Sequence, residues 1–192
     1  MVMKKMKLIY LFMLFVALAI TQLFVPVHMI FGEENVLNTG KAYKFKTAPV
    51  DPSDPYRGKY ITLQYDINSI TTNDSIWKRN EAIYVYIEED SLGFAELVKV
   101  SKTPLAIEND YVIAEVNWYD DYVKKVNFQL PFNRFYMEES KAKPAELAFR
   151  KAQRDSLPNN VYALVFIKEG KAVLQDVFIN DIPIAESAYL KE

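Results

Sequence analysis

The sequence predicts a mainly β protein carried on one N-terminal transmembrane helix: an antiparallel β-rich domain with a single inserted α-helix. Three observations lead there. Residues 8–32 contain no Asp, Glu, Lys or Arg. Beyond them Tyr, Phe, Ile and Val abound, and only 5 glycines occur in the 192 residues, a balance that suits strands. One segment, Pro144–Asp155, has the make-up of a helix.

The N-terminal element comes first. Lys4, Lys5 and Lys7 precede an apolar run from Leu8 to Ile20 that, taken alone, has the shape of a signal peptide. The apolar character continues through Leu23-Phe24-Val25-Pro26-Val27 to Met29-Ile30-Phe31. As a helix the uncharged stretch would reach about 37 Å, against a hydrocarbon core of about 30 Å. Ala17-Leu18-Ala19 offers a cleavage pattern, but bulky Ile20 and Leu23 follow it. The expectation is a retained anchor: residues 1–32 form a cytoplasmic tip and span, with residues 8–30 in the lipid bilayer. Three lysines before the span and Glu33-Glu34 after it place the N-terminus inside. Residues 33–192 then form a single extracytoplasmic, periplasmic-side domain on the cytoplasmic (inner) membrane. Gln22 would lie in the hydrocarbon as a helix–helix contact. His28, the only histidine, reads as an interfacial residue rather than a proton relay or ligand, since no second ligand lies nearby.

Charge narrows the partners. The chain has 23 basic and 25 acidic residues; without the three N-terminal lysines, 20 basic residues face 25 acidic ones, a net −5 for residues 33–192. Nucleic acid is not an expected partner, because phosphate binding rests on Lys and Arg. The absence of cysteine excludes disulfides, thiolate metal sites and cysteine nucleophiles.

Strands follow from period-two alternation, clearest in Lys59–Ile67, where Ile61, Leu63, Tyr65 and Ile67 share a face. The other expected strands are Ala42–Thr47, Ala82–Glu88, Phe94–Val100, Tyr111–Trp118, Tyr122–Leu130, Val161–Lys168 and Ala172–Asn180. Asp90–Gly93 and Glu169-Gly170 read as hairpin turns, and Trp118–Asp121 as a third. Ile61, Leu63, Val85, Val165 and Val177 are expected in one core, with Thr62, Gln64 and Asp176 outside. Pro144 suits a first helical turn, and Arg150, Lys151 and Arg154 suit the last.

Little chemistry is legible. Glu88-Glu89-Asp90, Asp120-Asp121 and Glu138-Glu139 are adjacent acids at element ends, which read as solvated turns rather than as a converging acid–base pair. No zinc spacing, EF-hand loop, glycine-rich phosphate loop or Ser-His-Asp set occurs. No catalytic residue, metal site or cofactor is expected. One nucleophilic option remains, a Ser/Lys pair such as signal peptidases use. Arg57-Gly58-Lys59-Tyr60 and Tyr122-Val123-Lys124-Lys125 are weakly similar to peptidase segments, and Ser53 lies close before the strand, but the Ser-Met box is missing.

The informative segment is Lys46–Tyr65, with Asp51-Pro52-Ser53-Asp54-Pro55-Tyr56-Arg57 leading into Gly58-Lys59-Tyr60-Ile61-Thr62-Leu63-Gln64-Tyr65. It resembles the signature of the GDYXXLXY protein family, whose pattern falls on Gly58, Tyr60, Leu63 and Tyr65; Lys59 stands where the family has Asp. The resemblance extends to Pro131–Glu139 and Gly170–Asp181. It implies a bacterial membrane-anchored protein without an assigned activity, encoded beside multi-pass membrane proteins, and supplies no catalytic residues. The expectation is therefore a non-enzymatic accessory subunit docking on a multi-pass inner-membrane protein. A periplasmic ligand-binding domain for cell-wall or lipid fragments ranks second, and a Ser/Lys peptidase third. Candidate binding residues are Arg57, Gly58, Tyr60, Tyr65 and Arg134. The prolines stiffen a corner feeding the strand. Arg57 then either clasps Glu138, Glu139 or a carbonyl, or joins Arg134 in binding an anion or a partner carboxylate.

Overall fold

A helix of 38 residues, α1 (Val2–Thr39), leads the computed structural model, which describes residues 2–48, 60–73, 77–154 and 161–187. At 1.5 Å per residue it is about 57 Å long. Pro26 lies inside it and, lacking an N–H, leaves the carbonyl of Gln22 without its helical donor. From Leu8 to Thr39 the helix is long and apolar enough to cross a membrane, and none of its most apolar window is buried by the rest of the chain.

The helix passes into the first strand, β1 (Lys41–Ala48), through Gly40 alone. A Cβ on Gly40 would lie 2.5 Å from the Val36 carbonyl oxygen and 2.9 Å from that of Ile167, so only glycine lets helix and strand approach this closely. Val36 is buried, the Gly40 N–H donates to the Val36 carbonyl, and Lys168 Nζ donates to Thr39 Oγ1 at 2.7 Å. The last turn of α1 is thus fastened to the domain rather than tethered by a linker.

The remaining strands are β2 (Tyr60–Thr62), β3 (Gln64–Tyr65), β4 (Ser69–Thr71), β5 (Ala82–Glu89), β6 (Ala95–Ser101), β7 (Asp110–Asp120), β8 (Lys125–Gln129), β9 (Arg134–Tyr136), β10 (Val161–Lys168), β11 (Lys171–Ile179) and β12 (Ile182–Pro183). Two short helices complete the described chain, α2 (Glu139–Arg154) and α3 (Ile184–Ser187). One sheet runs β12-β11-β10-β1-β3, the other β4-β8-β7-β5-β6, and β2-β9 forms a separate ribbon. All named strand pairs are antiparallel, and the first strand pairs with the C-terminal hairpin, Tyr43 opposite Val165 and Phe45 opposite Ala163. The sheets are joined at two corners, where Lys44 N–H donates to the Gly93 carbonyl and Ile113 N–H to that of Gly170. At the second corner Gly170 has φ +81°, and a Cβ there would lie 2.4 Å from the Tyr111 ring. Glu169 and Gly170 both have positive φ, as the twist of a two-residue hairpin requires.

Ile61, Leu63, Val85, Val165 and Val177 are all buried in one core shared by both sheets. Thr62 and Gln64 face outward as expected, while Asp176 is half-buried although it alternates with buried Val177. Burial holds the Asp176 carboxyl above its ordinary range, against the Val177 N–H that it accepts.

Five expectations need correction. The Lys59–Ile67 strand is divided, because its residues change partners: Tyr60–Thr62 pairs with β9, and Gln64–Tyr65 pairs with β1. Its alternation persists through the break. The third turn lies at residues 121–124 and not at Trp118–Asp121; Asp120 Oδ1 accepts the Tyr122 and Val123 N–H groups, and Lys124 takes φ 52°. Tyr122 and Val123, read as a strand start, stand exposed at this tip. Phe94 bridges to β1 before β6 begins. Finally, α2 begins five residues before Pro144, where the Glu138 carbonyl accepts from the Lys141 N–H and its carboxylate from the Ser140 hydroxyl at 2.8 Å. Pro144 then costs only one early helical bond, and Ala145, Phe149 and Ala152 bury one face. The expected C-terminal end at Asp155 lies outside the described residues.

Candidate functional site

Strand pairing sets the geometry of the predicted site. In the β2–β9 ribbon Tyr60 stands opposite Tyr136, and Thr62 opposite Arg134. The two tyrosine rings are 5.4 Å apart, and the Arg134 guanidinium lies 5.1 Å from the Tyr60 ring centre, a cation–π contact. Tyr60 is half-buried, Arg134 exposed and Tyr136 63% exposed. The structure therefore brings together Tyr60 and Arg134 of the predicted residues and adds Tyr136, which sequence reasoning did not single out. Period-two spacing from Arg134 was the signal for it.

Tyr65 goes elsewhere. It is buried, its hydroxyl donates to the Phe132 carbonyl at 2.8 Å, and its ring meets Phe45 and Phe132 edge-on at 5.7 and 5.2 Å. Burial pushes its hydroxyl well above the ordinary tyrosine range. As a binding residue it is corrected to a core residue, because its odd-numbered position shares the inward face of Ile61 and Leu63. Arg57, Gly58 and Lys59 lie outside the described residues, and so does Ser53. Lys124, the lysine of the peptidase reading, is paired with exposed Asp121, whose carboxylate raises its pKa; a lysine base needs the opposite shift. Among the described residues no group of three or more His, Asp and Glu side chains is placed to hold a metal ion.

Sequence reasoning missed a second feature, a cleft of about 370 Å³ between residues 62–68, the 129–133 turn and the end of β7. Leu63 and Tyr65 line it, together with six Asn and Gln residues. The signal was present in two alternations, Thr62/Gln64 and Asn127/Gln129, but only the tertiary pairing sets them side by side.

These features define a class: a two-sheet antiparallel β domain fused without a linker to a long apolar helix. The model of the GDYXXLXY protein family matches residues 22–177, most of the chain, and the protein belongs to that family. Comparison with curated proteins and with solved structures returns no match.

Proposed function

We propose that the protein is a membrane-anchored, non-enzymatic interaction subunit. In this reading α1 crosses the bacterial cytoplasmic membrane with its N-terminus inside and holds the β domain outside, against a multi-pass membrane partner. The observation that carries it is α1 itself: Leu8, Phe12, Phe15, Leu23, Phe24 and Phe31 are each more than half exposed, and no described part of the domain covers them. That apolar surface calls for lipid or another helix. The linkerless Gly40 junction supports docking, because a domain held at a set angle presents one face to a neighbour in the same bilayer. The Tyr60–Arg134–Tyr136 ribbon supplies residue types enriched at interfaces.

The test is photo-crosslinking in intact membranes from a reactive residue at position 136, with one at exposed Lys99 as the control. The expected result is a discrete adduct with a larger integral membrane protein from position 136 alone, in a chain that resists alkaline carbonate extraction. A chain released by carbonate, or adducts indifferent to position, would overturn the reading.

A further inference from the structure

Asn and Gln make up most of the polar lining of the cleft beside the signature strand. Gln64, Asn68, Asn117, Asn127, Gln129 and Asn133 all line it, and among the described residues no Asp, Glu, Lys or Arg does. Each amide carries both donors and an acceptor, which matches hydroxyl and acetamido groups and gives no counter-charge to an anion or a cation. Of the six, Asn68 is engaged by a neighbour, accepting from the Ser69 hydroxyl. The Asn127 Nδ2 is buried beneath the surface and has no hydrogen-bond partner, a desolvation cost that no described residue offsets.

An aromatic platform borders the amides. On β7, Val112, Ala114 and Val116 point inward, and strict alternation would send Trp118 in after them. A bulge at Asn117 breaks the alternation, and Asn117 and Trp118 both face out, with Trp118 53% exposed and directly opposite Asn127. Bulges that re-aim a side chain recur next to binding sites. The cleft volume of about 370 Å³ falls within the range of small-ligand sites, roughly 300–1,000 Å³. An indole face beside convergent amides has an apolar surface for the C–H face of a pyranose ring and hydrogen-bonding groups for its rim.

We propose that this cleft binds a neutral carbohydrate, with Trp118 stacking on a sugar ring and Gln129 and Gln64 bonding its hydroxyl or acetamido groups. The site adjoins the Tyr60–Arg134–Tyr136 ribbon at Thr62, and its ligand chemistry is argued independently of how that ribbon docks.

The test uses the full-length protein in nanodiscs, titrated with chitotriose and with maltotriose, and with sialyllactose as an acidic trisaccharide. Of the two tryptophans, Trp77 is buried and Trp118 exposed, so a change of indole emission on adding sugar reports on the cleft. A neutral trisaccharide is expected to shift that emission saturably in the millimolar range. Calorimetry on Trp118→Ala and on Gln129→Ala should each show affinity weakened about fivefold or more, with thermal unfolding unchanged, since both side chains are exposed. Lys99→Ala, remote on β6, should bind as the parent does. Absence of saturable binding by both neutral trisaccharides overturns the proposal and leaves Trp118 as a protein-contact residue. So does tighter binding of sialyllactose, or affinity indifferent to both cleft substitutions.

Discussion

The two faces of residues 60–66 have opposite fates although they alternate along one short run of chain. Ile61, Leu63 and Tyr65 are 5%, 2% and 4% exposed and belong to the shared core, whereas Thr62, Gln64 and Asp66 are exposed. The inward face meets Phe45 and Phe132; part of the outward face forms the wall of an amide-lined cleft. The described positions of the family pattern therefore do different work. Leu63 and Tyr65 hold the domain together, and Tyr60 faces the Arg134 side of the ribbon. At its described positions the family signature is in large part a folding signature.

That contrast is open to measurement, beginning with its largest expected effect. Leu63→Ala removes a nearly fully buried side chain from the junction of ribbon and sheets. It should destabilise the domain by about 2–5 kcal/mol in urea unfolding. A loss below about 1 kcal/mol would place the chain outside the core at this point.

Tyr65→Phe is a gentler cut on the same face. It keeps the ring contacts and deletes the hydroxyl that serves the buried Phe132 carbonyl. A loss of about 1–3 kcal/mol at neutral pH is expected, the cost of an unsatisfied buried acceptor.

The same hydroxyl sharpens the comparison through pH. Burial raises its folded pKa above the ordinary value of 10.0. The native state therefore keeps a proton that the unfolded chain releases, and stability from this group is fully present below about pH 10 and lost as pH rises towards the folded value. Urea midpoints should fall across the alkaline range in the parent and fall less in Tyr65→Phe. Equal slopes would break the assignment of Tyr65 to the interior.

On the outward face Gln64→Ala should shift stability by no more than about 0.5 kcal/mol, because the side chain is exposed. A larger loss would mean that the amide row is a structural network rather than an open wall.

Much of the fold could be read without coordinates because its causes are local. An uncharged run of helical length, alternation that persists from Ile61 to Tyr65, and a Glu-Gly dipeptide between two apolar strands each constrain only near neighbours. The candidate site was legible in part. Tyr60 and Arg134 do converge, but Tyr65 turned inward by parity, and Tyr136 and the amide cleft went unread. Pairing of Tyr60 with Tyr136 joins residues 76 positions apart, and composition holds no record of it.

What the sequence by itself determined was therefore the long apolar helix, the β character, the inward residues Ile61, Leu63, Val85, Val165 and Val177, and the family. Burial energy and backbone periodicity act within a few residues, so they leave a local trace. Tertiary structure alone decided that one alternating run should serve two partners, that a bulge should turn Trp118 outward opposite Asn127, and that Gly40 should pass between two carbonyls. Those outcomes depend on which distant backbone supplies the next hydrogen bond, and every extended segment offers the same N–H and C=O groups. Only the closing of both sheets around one core selects among them.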